Sequence, residues 1–354
     1  MSKVVYKLEK ITKLTDTLIS EWKLLWERAE NANIFNSYEW FCAYDAINEK
    51  KNYVFYICYK NNSLVAILPL EQYRSFGVPV FGTLCRDHLG DTAFLMETYN
   101  GALFRYFFGS ILKNKNLYLQ KIDSRATAML HQLFPDIYFS LMSVNPIIYL
   151  QKELFKNASS SSIKRIEKNI EKYANHLNYI MYSNNLQKHF ESMLNLQLQS
   201  SKNARSLDIF RNKNIRDYYS SLIKYASRFI RINFIFYDNV PIAYEYGFQC
   251  GDRYSGDQIS FHNKYRKFMP GKLMIYYIAK HLKQNNSLFL DQGGGIHSYK
   301  MDFTKEYRLL YNMYYSRNVF FMMWWKIINK ARRLRQIVYP KKHTRDHEFL
   351  FKTF

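Results

Sequence analysis

Residues 255–282 read SGDQISFHNKYRKFMPGKLMIYYIAKHL, and residues 288–303 read LFLDQGGGIHSYKMDF. In the first segment a strand-like run ends near Ser260, a polar and basic loop follows, and Pro270-Gly271-Lys272 opens an amphipathic helix that runs to Lys283. In the second, a short apolar strand runs from Leu288 to Asp291 and breaks on three glycines. Backbone amides at a helix N-terminus are unpaired and point outward, so the helix start is an anion site. Gly271 lets a ligand approach it, and Arg266, Lys267 and Lys272 supply charge. Pro-Gly ahead of a helix is also ordinary punctuation. The chain has only 12 glycines in 354 residues. Three in a row therefore point to a turn that needs positive φ, or to a place where a ligand comes close to bare backbone.

Working outward, the order before this region is strand (Tyr179 to Tyr182), helix (Leu186 to Ser200), helix (Ile215 to Tyr225), and the hairpin RINFIFYDNVPIAYEYGFQC. The first half begins with a strand at Val4 to Leu8, then a helix through Leu18, Trp22, Leu25, Trp26 and Ala29. A second helix, capped by Ser37, follows, and then the hairpin YVFYICYKNNSLVAILPLEQY. Aligning Ala66 with Ala243 separates the hairpins by 243 − 66 = 177 residues, half of the 354-residue chain. That spacing suggests an internal duplication. Between the halves, NASSSSIKRIEKNIEKYANH is a serine run leading into a helix, with Ile163, Ile166, Ile170 and Tyr173 as its inner stripe and Lys164, Arg165, Lys168 and Lys172 outward. The expected division is 1–155, 156–316 and a basic amphipathic tail, 317–354. Helices interleaved with antiparallel hairpins predict an α+β fold of mixed α/β layers.

Composition narrows the partners less than it first suggests. The 51 Lys and Arg against 29 Asp and Glu give a net charge of +22, which points to an anionic partner. The basic residues are scattered among many Asn, Ile, Tyr and Phe, a mixture that AT-rich coding favours, so nucleic acid ranks below other anions. Cys42, Cys58, Cys85 and Cys250 stand alone, with no CxxC and no metal-ligand spacing. They read as reduced thiols in a cytoplasmic protein without a metal. The opening MSKVVYKLEKITKL lacks a signal-peptide core, and VFFMMWW (319–325) is too short to span a bilayer. GxGxxG, Walker, GxSxG and HExxH patterns are missing.

The sequence strand, basic loop, Pro-Gly, helix, then LFLDQGGG with a following YKMDF, resembles the second domain of the CelD-like acetyltransferases. These are a branch of the GNAT superfamily related to the Fem peptidyltransferases. Tyr265, Arg266, Pro270, Gly271, Leu273, Asp291, Gly293, Tyr299, Lys300 and Phe303 carry the resemblance. It is strongest over Ser160 to Phe303 and weaker over SYEWFCAYDAI and LVAILPL. It implies tandem GNAT-like domains, each a mostly antiparallel twisted sheet flanked by helices, with an acyl donor gripped in the second. The loop that opens the main helix would hold the pyrophosphate of coenzyme A, through Arg266, Pro270, Gly271 and Lys272. This loop has one glycine where the superfamily usually has a close Gly-x-Gly/Ala pair. Acyl-CoA is thus the first choice of donor, with aminoacyl-tRNA or a carrier-bound acyl group behind it.

Direct acyl transfer needs a base for the acceptor proton and an acid for the leaving thiolate. His262 and Asp291 are candidate bases, with Asp257 and Glu245 as alternatives, and Tyr299 or Tyr265 is a candidate acid. Gly293, Gly294, Lys300 and Arg205 are candidate substrate contacts. The structural alternatives are a satisfied histidine, a surface lysine, a turn, and an arginine that caps its helix. The resemblance implies an acyltransferase, acetyl the expected group, acting on an amine or hydroxyl of an envelope or exopolysaccharide precursor. The rivals are an aminoacyl-tRNA-dependent Fem-type peptidyltransferase and a non-catalytic nucleic-acid- or membrane-binding protein. In the tail, Phe320, Met323, Trp324, Ile327, Ala331, Leu334 and Val338 share one side. That stripe predicts a helix packed on the domain through those residues, with peripheral membrane contact as the alternative.

Overall fold

The computed structural model describes residues 5–75, 77–85, 90–113, 115–156, 158–204 and 208–338. In chain order the first half contains β1 (Tyr6–Ile11), α1 (Asp16–Arg28), α2 (Tyr38–Asp45), β2 (Tyr53–Lys60), β3 (Ser63–Ser75), β4 (Val78–Thr83) and β5 (Leu95–Met96). It continues with α3 (Gly101–Leu112), β6 (Leu117–Asp123), α4 (Ser124–Leu133) and β7 (Tyr138–Tyr149). The second half contains α5 (Ser160–Lys172), β8 (Leu177–Tyr182), α6 (Leu186–Leu198), α7 (Ser201–Ala204), α8 (Lys213–Ala226), β9 (Ile230–Tyr237) and β10 (Val240–Cys250). Then come β11 (Arg253–Phe261), α9 (Pro270–Gln284), β12 (Phe289–Asp291), α10 (Ser298–Met301), β13 (Glu306–Tyr315) and α11 (Val319–Val338). Local signals set the ends: the Thr15 and Ser37 side chains cap α1 and α2, and Ser159 caps α5.

The described residues fall into two compact units, 5–143 with 309–338, and 144–308. In the first unit β1, β2, β3 and β4 form an antiparallel meander, followed through α3 by β6 parallel to β4. In the second unit β8, β9, β10 and β11 form the same meander, followed through α9 by β12 parallel to β11. The likeness extends to single residues. Asn61-Asn62 and Asp238-Asn239 both turn with positive φ at each position, as a two-residue hairpin of this hand requires. The register slips once in each hairpin, leaving Val65 and Ile242 as the extra residues, again 242 − 65 = 177 apart.

Each unit borrows its last strand from the other half of the sequence. Residues 310–315 of β13 pair with β6 in the first unit, and residues 147–149 of β7 pair with β12 in the second. The serine-rich stretch around residue 155 follows the borrowed strand within the second unit.

In the second unit α9 buries Leu273, Met274, Ile275, Tyr276, Ile278 and Leu282 against one face of the sheet. The other face carries Tyr246, whose ring packs on Phe190 of α6 and Tyr219 of α8. In the first unit α11 packs through Phe321, Met322 and Trp325 onto Val80 and Tyr314. This corrects the expectation for the tail: Phe320, Met323, Trp324 and Ile327 are the exposed side of the helix. The helix is apolar on two faces, and periodicity alone does not say which one meets the sheet.

Candidate active site

β11 and β12 pair over only three residues, Arg253–Ser255 against Phe289–Asp291, and then part. At the parting point β11 is also irregular on its other edge. Tyr246 pairs with Gln258 and Gly247 with Gly256, so Asp257 is a bulge residue taken out of the ladder. A bulge re-aims a side chain beside a cleft.

The glycine run is built around this point. Gly293 has φ of +74°, and a Cβ there would lie 2.5 Å from the Gly256 carbonyl oxygen, so conformation and space both require glycine. Asp291, buried at 2 % exposure, accepts from the Gly293 amide on Oδ1 (2.8 Å) and from Asn145 Nδ2 on Oδ2 (3.1 Å). Arg308 approaches the same Oδ2 at 3.6 Å. Lys300, also buried, donates from Nζ to the carbonyls of Gly293 and Gly294 at 3.0 Å each. Asp291 and Lys300 thus hold the turn from its two sides, and the carboxylate oxygens of Asp291 are occupied by structural donors.

A small cavity of about 40 Å³ lies in the parting, lined by Glu245, Gly256, Asp257, Gln292, Tyr299 and Lys300. Glu245 Oε2 accepts from Asn233 Nδ2 (2.7 Å) and Tyr254 Oη (2.5 Å). Its Oε1 and the Oε1 of Gln292 are buried without a hydrogen-bond partner. Burial pushes the Glu245 carboxyl up to about 8, against the lowering effect of its bonds from Tyr254 and Asn233. Tyr299 is half-buried, with its ring stacked on His297 at 5.7 Å.

On the α6/α8 side of the bulge the chemistry is ionic. The exposed Asp257 carboxylate accepts from the Tyr219 hydroxyl. Burial lowers the Lys202 ammonium below the usual lysine range, with the charges of Asp257 and Asp208 opposing it. Asp208 accepts from Gln197 (2.9 Å), which accepts in turn from Tyr244 (2.8 Å). Arg205 lies outside the described residues.

The expected donor loop sits at the far end of β11. His262 accepts from the Lys264 amide on Nδ1 at 3.2 Å, so its neutral ring carries the proton on Nε2 and presents a donor there. It stands seven residues beyond Ser255, the partner of Asp291, or about 23 Å along a strand. The structure therefore does not bring His262 to Asp291. Arg266 is exposed in the turn before α9, and Met269, with positive φ, enters the helix without a side-chain cap. Around Gly271 a Cβ would meet nothing within 4 Å. Lys272 is spoken for, since its Nζ pairs with Asp302 at 2.5 Å.

Sequence reasoning missed Tyr219, Lys202, Gln292 and the Asn145–Arg308 support of Asp291. One signal was present for the bulge: Gly256 inside a strand pattern marks a close approach or an irregular register. Among the described residues no His, Cys, Asp or Glu cluster is placed to hold a metal.

Residues 160–301 match the family model described as an acetyltransferase (GNAT) domain. Among curated proteins none matches the chain by sequence. In fold the chain is similar to FemX, with a TM-score of 0.63 at 9 % identity over 89 % of this chain and 99 % of that one. It is also similar to the C-terminal domain of a putative lysylphosphatidylglycerol synthetase from Agrobacterium fabrum, with a TM-score of 0.52 at 8 % identity over 84 % and 91 % of the two chains. A third likeness is to L-PGS from Bacillus licheniformis, with a TM-score of 0.50 at 12 % identity over 79 % and 93 %. The family match spans the second-unit elements from α5 to α10, so residues 160–301 carry an acetyltransferase (GNAT) domain, and that domain supports an acyltransferase activity.

Proposed function

We propose that the chain moves an acyl group, acetyl in the first instance, from acyl-CoA to an amine or hydroxyl of an envelope or exopolysaccharide precursor. The observation that carries the donor side is the parting of β11 and β12 at a bulge. The fit is chemical as well as spatial. Two buried oxygens without a partner, Glu245 Oε1 and Gln292 Oε1, belong to residues that line one cavity; with Glu245 held neutral its Oε1 carries the proton and donates while Gln292 Oε1 accepts, so the pair suits a ligand or water that can both accept and donate. The start of α9, with Arg266 beside it and open space over Gly271, suits a pyrophosphate.

In this reading the donor enters from the α9 side and the acceptor from the α6/α8 side. Asp257 takes the proton of the acceptor nitrogen or oxygen as that atom forms its bond to the acyl carbon. The C–S bond breaks, and Tyr299 protonates the leaving thiolate, giving the acylated acceptor and coenzyme A. Asp291 and Lys300 are positioning residues that hold the glycine turn, Gly293 and Gly294 shape the acceptor side, and Arg205 is proposed to contact the acceptor. His262 is assigned to the loop rather than to proton transfer. The acceptor class rests on the resemblance alone. We further propose that residue 155 joins two duplicated halves, 1–155 and 156–316, that have exchanged their last strands, and that the protein works in the cytoplasm at the inner face of the membrane.

Aminoacyl-tRNA as donor is the second reading, favoured by the fold likeness to FemX. Calorimetric titration of coenzyme A and acetyl-CoA into wild type, Arg266→Ala and Gly271→Trp tests the first. The expected result is binding that weakens about tenfold without Arg266 and is blocked by the indole. Binding indifferent to both changes would move the donor site elsewhere. No binding to wild type would leave the tRNA-dependent reading in its place.

A further inference from the structure

We propose that the outer face of α11 docks on the surface of an anionic lipid bilayer. On this helix Val319, Phe320, Met323, Trp324 and Ile327 are 67 %, 84 %, 53 %, 47 % and 55 % exposed. At 100° per residue these five positions span about 140° of one side, opposite the side that carries Phe321, Met322 and Trp325 into the core. The inner face already supplies the packing that holds the helix. The outer face adds nothing to that core. Side chains of this size leave on the order of 600 Å² of contiguous apolar area to solvent, at the top of what a monomeric soluble protein shows.

Charge selects the occupant. Arg317, Lys326 and Lys330 are exposed at the N-terminal end and along the border of this face. Over residues 317–354 the sequence has ten Lys and Arg against two acids. A second copy of the chain would bring these cations against their own kind, and the face would bury at most about 1,200 Å² in a dimer, the floor for a stable interface. An anionic bilayer satisfies both parts at once: headgroups meet the cations while Phe320, Met323 and Ile327 enter the headgroup–acyl boundary. The helix would lie in the interface. Among the described residues no helix is long and apolar enough to cross a membrane. This docking does not depend on the transfer chemistry, and its test has a readout independent of activity.

The test is co-sedimentation of the full chain with vesicles of phosphatidylcholine alone and with about one-third phosphatidylglycerol. Wild type is expected on the anionic vesicles only, with binding lost at high salt. Phe320→Ser/Ile327→Ser is expected to lower it at least tenfold, and Lys326→Gln and Lys330→Gln about fivefold each. The changed side chains are exposed, so thermal unfolding and donor binding should match wild type. Wild type absent from anionic vesicles, or retained on them equally after the Phe320/Ile327 change, overturns the proposal. A wild-type dimer in light scattering that the same double change dissociates, without vesicle binding, assigns the face to a second copy and also overturns it.

Discussion

Replacing Glu245 by glutamine should make the second unit less sensitive to pH, and the size of the effect follows from where the carboxyl sits. Glu245 is 4 % exposed, and burial raises its carboxyl from 4.5 to about 8. In the unfolded chain the group ionises near 4.5, whereas in the folded chain it stays protonated to about pH 8. Between those values the native state holds the extra proton, so stability must fall as pH rises through this window and level off above it. At about 1.4 kcal/mol per pH unit, the loss between pH 5 and 7 is about 2–3 kcal/mol. Glutamine cannot ionise, yet its carbonyl can still accept from Tyr254 and Asn233. The variant should match wild type within about 1 kcal/mol at pH 5 and be more stable by about 2–3 kcal/mol at pH 7. All five tryptophans, Trp22, Trp26, Trp40, Trp324 and Trp325, lie in the first unit, so their fluorescence would report on the wrong part of the chain. Hydrogen exchange of peptides from β9 and β10, compared between wild type and variant at each pH, reads the second unit directly. The expected difference in opening at pH 7 is on the order of 50-fold. Parallel protection of the two proteins from pH 5 to 8 would refute the claim that Glu245 is held neutral.

Asp257→Asn should lower kcat by about 10²–10⁴-fold while leaving coenzyme A affinity within a factor of two, measured by steady-state kinetics beside calorimetry. Loss of donor affinity in parallel with kcat would show that Asp257 serves the donor site instead. Gly293→Ala should cost about 1–3 kcal/mol of stability, because the added Cβ meets the Gly256 carbonyl at 2.5 Å in a φ of +74°. Thermal unfolding unchanged from wild type would mean that the turn relaxes freely and that the Asp291 and Lys300 contacts do not fix it.

The parts of this molecule that were legible in the sequence are those fixed by local rules. The two hairpins announce themselves through Asn61-Asn62 and Asp238-Asn239, and α9 through Pro270 and its apolar stripe. What local rules do not fix was not legible. The exchanged strands 138–149 and 306–315 find partners more than a hundred residues away in β12 and β6, and no pattern within either strand names that partner. The bulge at Asp257 is a relation between β10 and β11, so Asp257 is a candidate base in the sequence only as an alternative to His262 and Asp291. Asp291 and Lys300 stood out because acids and lysines beside glycines are chemically suggestive. The deciding fact is how many of their donors and acceptors the fold has already used. Asp291 meets Gly293, Asn145 and Arg308, and Lys300 meets two carbonyls, so both spend their capacity on the turn. Glu245 and Gln292 each keep one buried oxygen in reserve. A buried polar atom left unsatisfied costs about 1–3 kcal/mol, a cost that a fold tolerates where something arrives to meet it. For that reason the two orphaned oxygens, more than the motif that first drew attention, mark where the donor's polar atoms should be sought.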